Sequence, residues 1–151
     1  MHTYTYRISQ KGEKMATQKQ IKEWIPAVTE IFQFFVPCPE LPEIHVVSDK
    51  TLFKKRAEIV ERLQSKQKNA TPDNYDSIME MIHGDHGDAI LIQQKCVPSP
   101  EKNFRAEEAF AHFLWHELGH YLAITSETTN LHRYADQEYF ADSSNITEHA
   151  K

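Results

Sequence analysis

Apolar and polar residues alternate over residues 2–9, "HTYTYRIS", so that Tyr4, Tyr6 and Ile8 share one face of a short strand. The period then changes. Ile21, Trp24, Ile25, Val28, Ile31, Phe32 and Phe35 fall at helical spacing behind Thr17 and Gln20, which form a capping-box pair. That stripe is expected to be core. Pro26 is expected to kink this helix or mark a restart, and Pro37, Pro39 and Pro42 end it. "EIHVVS", 43–48, has the composition of a core strand. Asp49 is placed to cap a helix over about 51–66, with Leu52, Ile59, Val60 and Leu63 inward.

A polar stretch at 65–76 reads as an inserted loop, because the pieces on either side are too small to fold alone. "SIMEMIH" and "AILIQQK" then form a hairpin around "GDHGD". A long apolar-rich segment from about 104 to 126 is helical, and a shorter helix covers about 132–146. The order is strand, helix, strand, helix, hairpin, helix, helix. This predicts one α+β domain over 1–151, with a small mixed sheet and a helical layer. The domain is expected to stand alone or to be the N-terminal part of a longer protein.

Composition narrows the function classes. Hydrophobic residues make up 40% and charged residues 26%, as in a globular protein with a core. The net charge of −5 and the lack of a dominant basic face argue against nucleic acid as partner. No apolar run is long enough to span a bilayer, and the N-terminus lacks the apolar centre of a signal peptide, so no membrane association is expected. Cys38 and Cys96 do not make a disulfide framework, and a reducing, cytoplasmic setting is expected. The oligomeric state is left open.

The candidate chemistry lies in "AFAHFLWHELGHYLAIT", 109–125. His116 and His120 enclose Glu117 in the pattern H-E-x-x-H. On a helix the two histidines lie about 40° and about 6 Å apart, so both imidazoles can reach one ion. Glu117, about 100° round from His116, can act as base toward a water there without itself ligating. Phe113, Ile124, Phe110, Tyr121, Leu114, Leu118, Leu122 and Trp115 fill an apolar arc with the histidines at its rim. The alternative is two surface histidines sharing a helix face.

Catalytic zinc usually takes three protein ligands. The metzincin extension fails, since Ala123 and Ser126 stand where its glycine and third histidine belong. Downstream, Glu138 and Asp142 are four apart and share a helix face. Glu138 can ligate, and Asp142 can accept a hydrogen bond from the outer nitrogen of a ligating histidine. Asp136 and His132 compete with Glu138 for the third position.

"HELGH" followed by "EYFAD" resembles the gluzincin zinc peptidases, over about residues 104–146. The E-x-x-A-D form is similar to that of the CAAX-processing and heat-shock membrane peptidases and of the soluble ImmA-like peptidases. The resemblance implies a zincin-like fold, a Zn2+ cofactor and a peptide or protein substrate. It makes His116, His120 and Glu138 the metal ligands, Glu117 the general base and Asp142 an outer residue. The implied function is a zinc-dependent peptidase. The alternative is a catalytically weak zinc-binding regulatory or protein-interaction domain. Tyr134, His132, Arg133 and Tyr121 are candidate oxyanion or substrate contacts, weighed against plain packing or exposure. "AILIQQK" is the strand the resemblance suggests for binding substrate backbone by strand addition, weighed against a plain core strand.

Three further features have two readings each. His112 can steady substrate, or simply face solvent as expected of a surface histidine. His83, Asp85, His86 and Asp88 can bind a second metal, or make a tight turn. Cys96 can meet a zinc, or sit idle in the core.

Overall fold

Thr17 begins the first helix as its sequence predicts. Its hydroxyl accepts from the Gln20 amide at 3.0 Å, and the Gln20 side chain accepts from the Thr17 amide at 2.9 Å. The computed structural model describes residues 14–36, 40–101 and 104–125. The strand expected over 2–9 and the helix expected over 132–146 lie outside these residues. The described elements are α1 (Gln18–Phe35), β1 (Glu43–Val47), α2 (Leu52–Arg62), β2 (Met79–Gly84), β3 (Gly87–Gln93), a 3-10 turn (Gln94–Cys96) and α3 (Ala106–Thr125).

Helix α1 runs through Pro26 without a restart. Ile21, Val28 and Phe32 anchor it to the core on both sides of the proline. That packing offsets the hydrogen bond that proline removes. Helix α2 is shorter than expected. It starts at Thr51 rather than Asp49 as cap, with no side-chain hydrogen bond to the first turn, and ends at Arg62. Gln64 at φ 55° turns the chain out of the helix just beyond.

The three strands form a mixed sheet in the order β1-β3-β2. β3 runs parallel to β1 and antiparallel to β2. The hairpin turns at Asp85 and His86, so the tight-turn reading of "GDHGD" holds. Gly87 has φ 137°, a conformation L side chains rarely adopt, and a Cβ on Gly84 would meet the Leu63 carbonyl oxygen at 2.1 Å.

Both faces of the sheet are covered. Ile90 and Ile92 of β3, with Met79 of β2, enter one core with α1 and α3. Ala89, Leu91 and Ile82 enter a second core with Leu52, Ile59 and Leu63 of α2. This is the expected α+β architecture with a small mixed sheet, and its helices lie on both sides of that sheet. The reason is β3, whose residues Ala89 to Gln93 are all buried, and a strand buried on both faces needs a layer on each.

This placement also corrects the role expected of "AILIQQK". Its strand is central, with its backbone already paired on both sides, so it cannot accept a further strand. Among the described residues the sheet edges are β1 and β2, and β2 is the edge strand against which α3 packs.

Candidate metal centre

Helix α3 is built to be enclosed. Glu107 and Glu108 in its first turn suit the positive end of the helix dipole. Past them, Phe110, Phe113, Leu114, Trp115 and Leu118 are all buried. Trp115 meets Phe32 of α1 edge-on with centroids 4.9 Å apart, and Phe110 meets Trp24 at 5.6 Å. Such aromatic pairs add about 0.5–1.5 kcal/mol each beyond the area they bury. They fix the rotation of α3 about its axis, and with it the direction of every other side chain on the helix.

That rotation puts both histidines inside. His116 is 4% exposed and His120 is 7% exposed, so they are buried rather than at the rim of the apolar arc. Burial also corrects the alternative in which two surface histidines share a face. One turn of helix brings their Nε2 atoms to 3.1 Å of each other, with the rings 4.7 Å apart and inclined at 81°. In a tetrahedral zinc site with Zn–N of about 2.0–2.1 Å, two imidazole nitrogens stand about 3.3–3.4 Å apart. The observed separation falls close to this, and it is also that of a hydrogen bond from one ring to the other, the donor depending on the tautomers. The residues present therefore fit two of the three protein positions of a zinc site, by donor chemistry as well as by spacing.

Glu117 is half-buried. It lies about 100° round the helix from His116, among the arc positions of Phe113 and Phe110. His112 is half-buried and meets the Phe113 ring edge-on at 6.0 Å, so it is not the solvent-facing residue expected. Tyr121 is buried, about 100° round the helix from His120.

Glu138, Asp142, Tyr134, His132, Arg133 and Asp136 lie outside the described residues. Among the described residues no three His, Cys, Asp or Glu side chains are grouped to hold a metal. The second-metal reading of "HGDHGD" finds no support there. His83 pairs through Nδ1 with Asp88 across the hairpin instead. Cys96 is a free thiol, 1% exposed, and burial pushes its pKa up, as for an idle core cysteine.

Sequence reasoning missed a second polar centre, on the other face of the sheet. Arg56 of α2 is 5% exposed and forks onto Glu80 of β2 through Nε and Nη2, each at 2.8 Å. Its Nη1 donates to the Lys68 carbonyl at 2.9 Å. The Glu80 carboxylate raises the Arg56 pKa further, and burial pushes the Tyr75 hydroxyl beside them far above its usual value. Arg56, Tyr75, Glu80 and the loop from Gln67 to Asn74 line a cleft of about 310 Å³. A signal for Arg56 existed. Leu52, Arg56, Ile59 and Leu63 are spaced i, i+4, i+7, i+11, so the arginine stands in the inward row.

No helix among the described residues is long and apolar enough to cross a membrane. Comparisons with protein-family models, with curated proteins and with solved structures give no match.

Proposed function

We propose that the chain is a zinc-dependent peptidase acting on peptide or protein substrates, with His116, His120 and Glu138 as its metal ligands. The observation that carries this reading is the buried convergence of two Nε2 atoms at 3.1 Å on a helix that also carries Glu117. Two imidazole nitrogens this close belong to the donor set zinc takes.

Zinc, when bound, supplies a Lewis acid that brings the pKa of water toward about 7 and polarises a carbonyl. The remaining work falls to the chain. Glu117 takes a proton from the attacking water as its oxygen bonds to the scissile carbonyl carbon. It then gives that proton to the amine as the C–N bond breaks. Its half-buried place in an apolar arc keeps bulk water from competing for that proton. Asp142 accepts from the outer nitrogen of a ligating histidine and so holds the ring in the tautomer that leaves Nε2 free to ligate. The substrate backbone pairs with the edge of β2, the strand that α3 packs against, in place of the central β3. A reducing, cytoplasmic setting suits the free buried thiol of Cys96.

The test is Glu117→Gln, which keeps the shape and removes the base. Cleavage of a mixed peptide library, followed by mass spectrometry, should fall about 10²–10⁴-fold while bound zinc per chain is unchanged. Zinc binding with no cleavage by the unsubstituted protein would replace the peptidase with the regulatory zinc domain.

A further inference from the structure

Among the described residues, the outer edge of β2 is closed at one end and open at the other. The Gln93 amide donates to the Ile78 carbonyl at 3.0 Å, so Ile78, Glu80, Ile82 and Gly84 turn their backbone groups toward β3. Met79, Met81 and His83 therefore turn theirs outward. The outward His83 amide donates to Oε1 of Gln67 at 3.0 Å. The other end of the same side-chain amide, Nε2, donates to Glu80 Oε2 at 3.0 Å. These two bonds of opposite sense fix which way the Gln67 amide faces. Further along, Ser65 bridges to Gly84, and the His86 amide donates to the Leu63 carbonyl at 3.0 Å. Residues 63–67 thus cover the edge from His83 to the hairpin turn. Among the described residues, no hydrogen bond reaches the outward backbone groups of Met79 and Met81.

We propose that Gln67 is a specificity-determining residue, which sets the length of extended peptide that β2 accepts. Its amide stands where the next residue of an added strand would pair. The added strand exchanges hydrogen bonds with Met81 and Met79 and stops there. Run antiparallel to β2, the more stable pairing, its N-terminal end is the one that meets Gln67. Two bonded pairs span three residues of the peptide, because only alternate residues of an antiparallel pair exchange bonds. Backbone recognition on that side of the substrate is limited to those three residues, and anything N-terminal to them goes unread. This inference rests on the reading that substrate lies along β2.

The test is site-resolved amide exchange by NMR on the zinc-loaded, full-length Glu117→Gln protein, with alternating Thr-Val peptides of three to eight residues at millimolar concentration. The Met79 and Met81 amides should exchange at least tenfold more slowly with peptide, and the His83 amide should be protected equally with and without it. Peptides longer than three residues should bind within twofold of the tripeptide. In Gln67→Ala the free His83 amide should exchange at least tenfold faster, and the longer peptides should restore its protection and bind at least threefold tighter. The proposal fails on protection of Met79 and Met81 before peptide is added, since the edge would already be held by another segment or a second copy. It also fails if no peptide protects them, or if Gln67→Ala leaves the length profile unchanged. Cleavage by the unsubstituted protein is assayed in parallel. Length-limited binding without cleavage would remove the peptidase and keep the role of Gln67. Cleavage with an unchanged length profile would remove the role of Gln67 alone.

Discussion

On one side of the sheet a buried arginine meets a half-buried glutamate, and on the other a buried histidine meets a second histidine. The first pair is chemically closed. Arg56 and Glu80 are of opposite charge, matched fork to fork, and the remaining capacity is spent on the Lys68 carbonyl and the Gln67 amide. Such a pair ties α2, β2 and the 65–76 loop together and asks for nothing more. His116 and His120 are alike. At 3.1 Å their Nε2 atoms make a hydrogen bond of like with like, whose donor depends on the tautomers, and the same two nitrogens are donors that zinc takes. On the proposed reading, the contrast separates a polar group buried to hold the fold from one buried to hold a ligand.

The largest effects should break that contrast at the histidines. In the unsubstituted protein, zinc at a thousandfold excess over its dissociation constant should stabilise the fold by about 4 kcal/mol. His116→Leu should remove that gain entirely, while chelator-treated samples of the two proteins unfold within about 1 kcal/mol of each other. Urea titrations with and without zinc read this directly. If zinc stabilises the variant as well, His116 is no ligand.

Arg56→Ala should act in the opposite manner. It leaves the Glu80 carboxylate, 14% exposed, without its counter-charge. Breaking a buried pair costs about 3–5 kcal/mol, so the loss should appear with or without zinc. Zinc per folded chain should not change. A loss of zinc in this variant would mean that the two sides of the sheet are not independent.

The smallest effect sharpens the comparison with a third, exposed pair. Arg62, and after it His45, hold the Glu43 carboxyl down at about 2. The folded value lies below the unfolded one, so this pair stabilises the fold above about pH 4.5 and is lost as pH falls toward 2. With Glu43 42% exposed, solvent screening keeps the contribution under about 1 kcal/mol. Glu43→Gln should flatten the stability curve by that amount over this window and leave its neutral-pH plateau within the same margin.

Much of the fold could be read from the chain because its signals are local. The Thr17–Gln20 box, the inward row of α1 and the hairpin each depend on residues within a few positions of one another, although Ile31 and Phe35 of the expected core stripe are exposed, at 42% and 63%. What escaped was decided by distant partners. Pro26 looked like a break, but Ile21 and Phe32 hold the helix on either side of it. "AILIQQK" has two readings, a substrate-binding strand and a plain core strand, and the unbroken apolar run within it favours the second, which is the one found. Arg56 stood in the inward row of α2, yet nothing near it in sequence named Glu80 as its partner. At the candidate site the helix and the approach of its two imidazoles followed from spacing alone. Their depth did not, because Trp24, Phe32 and the other contacts that set the rotation of α3 come from another element.

On the proposed reading, a carboxylate from Glu138 joins His116 and His120 around one zinc ion. Metal content by mass spectrometry is then the decisive measurement, on the freshly purified protein and on Glu138→Ala. One zinc per chain is expected in the first and a small fraction of that in the second, with both proteins folded by circular dichroism. A full complement of zinc in Glu138→Ala, or none in the unsubstituted protein after zinc is supplied, would rule this site out.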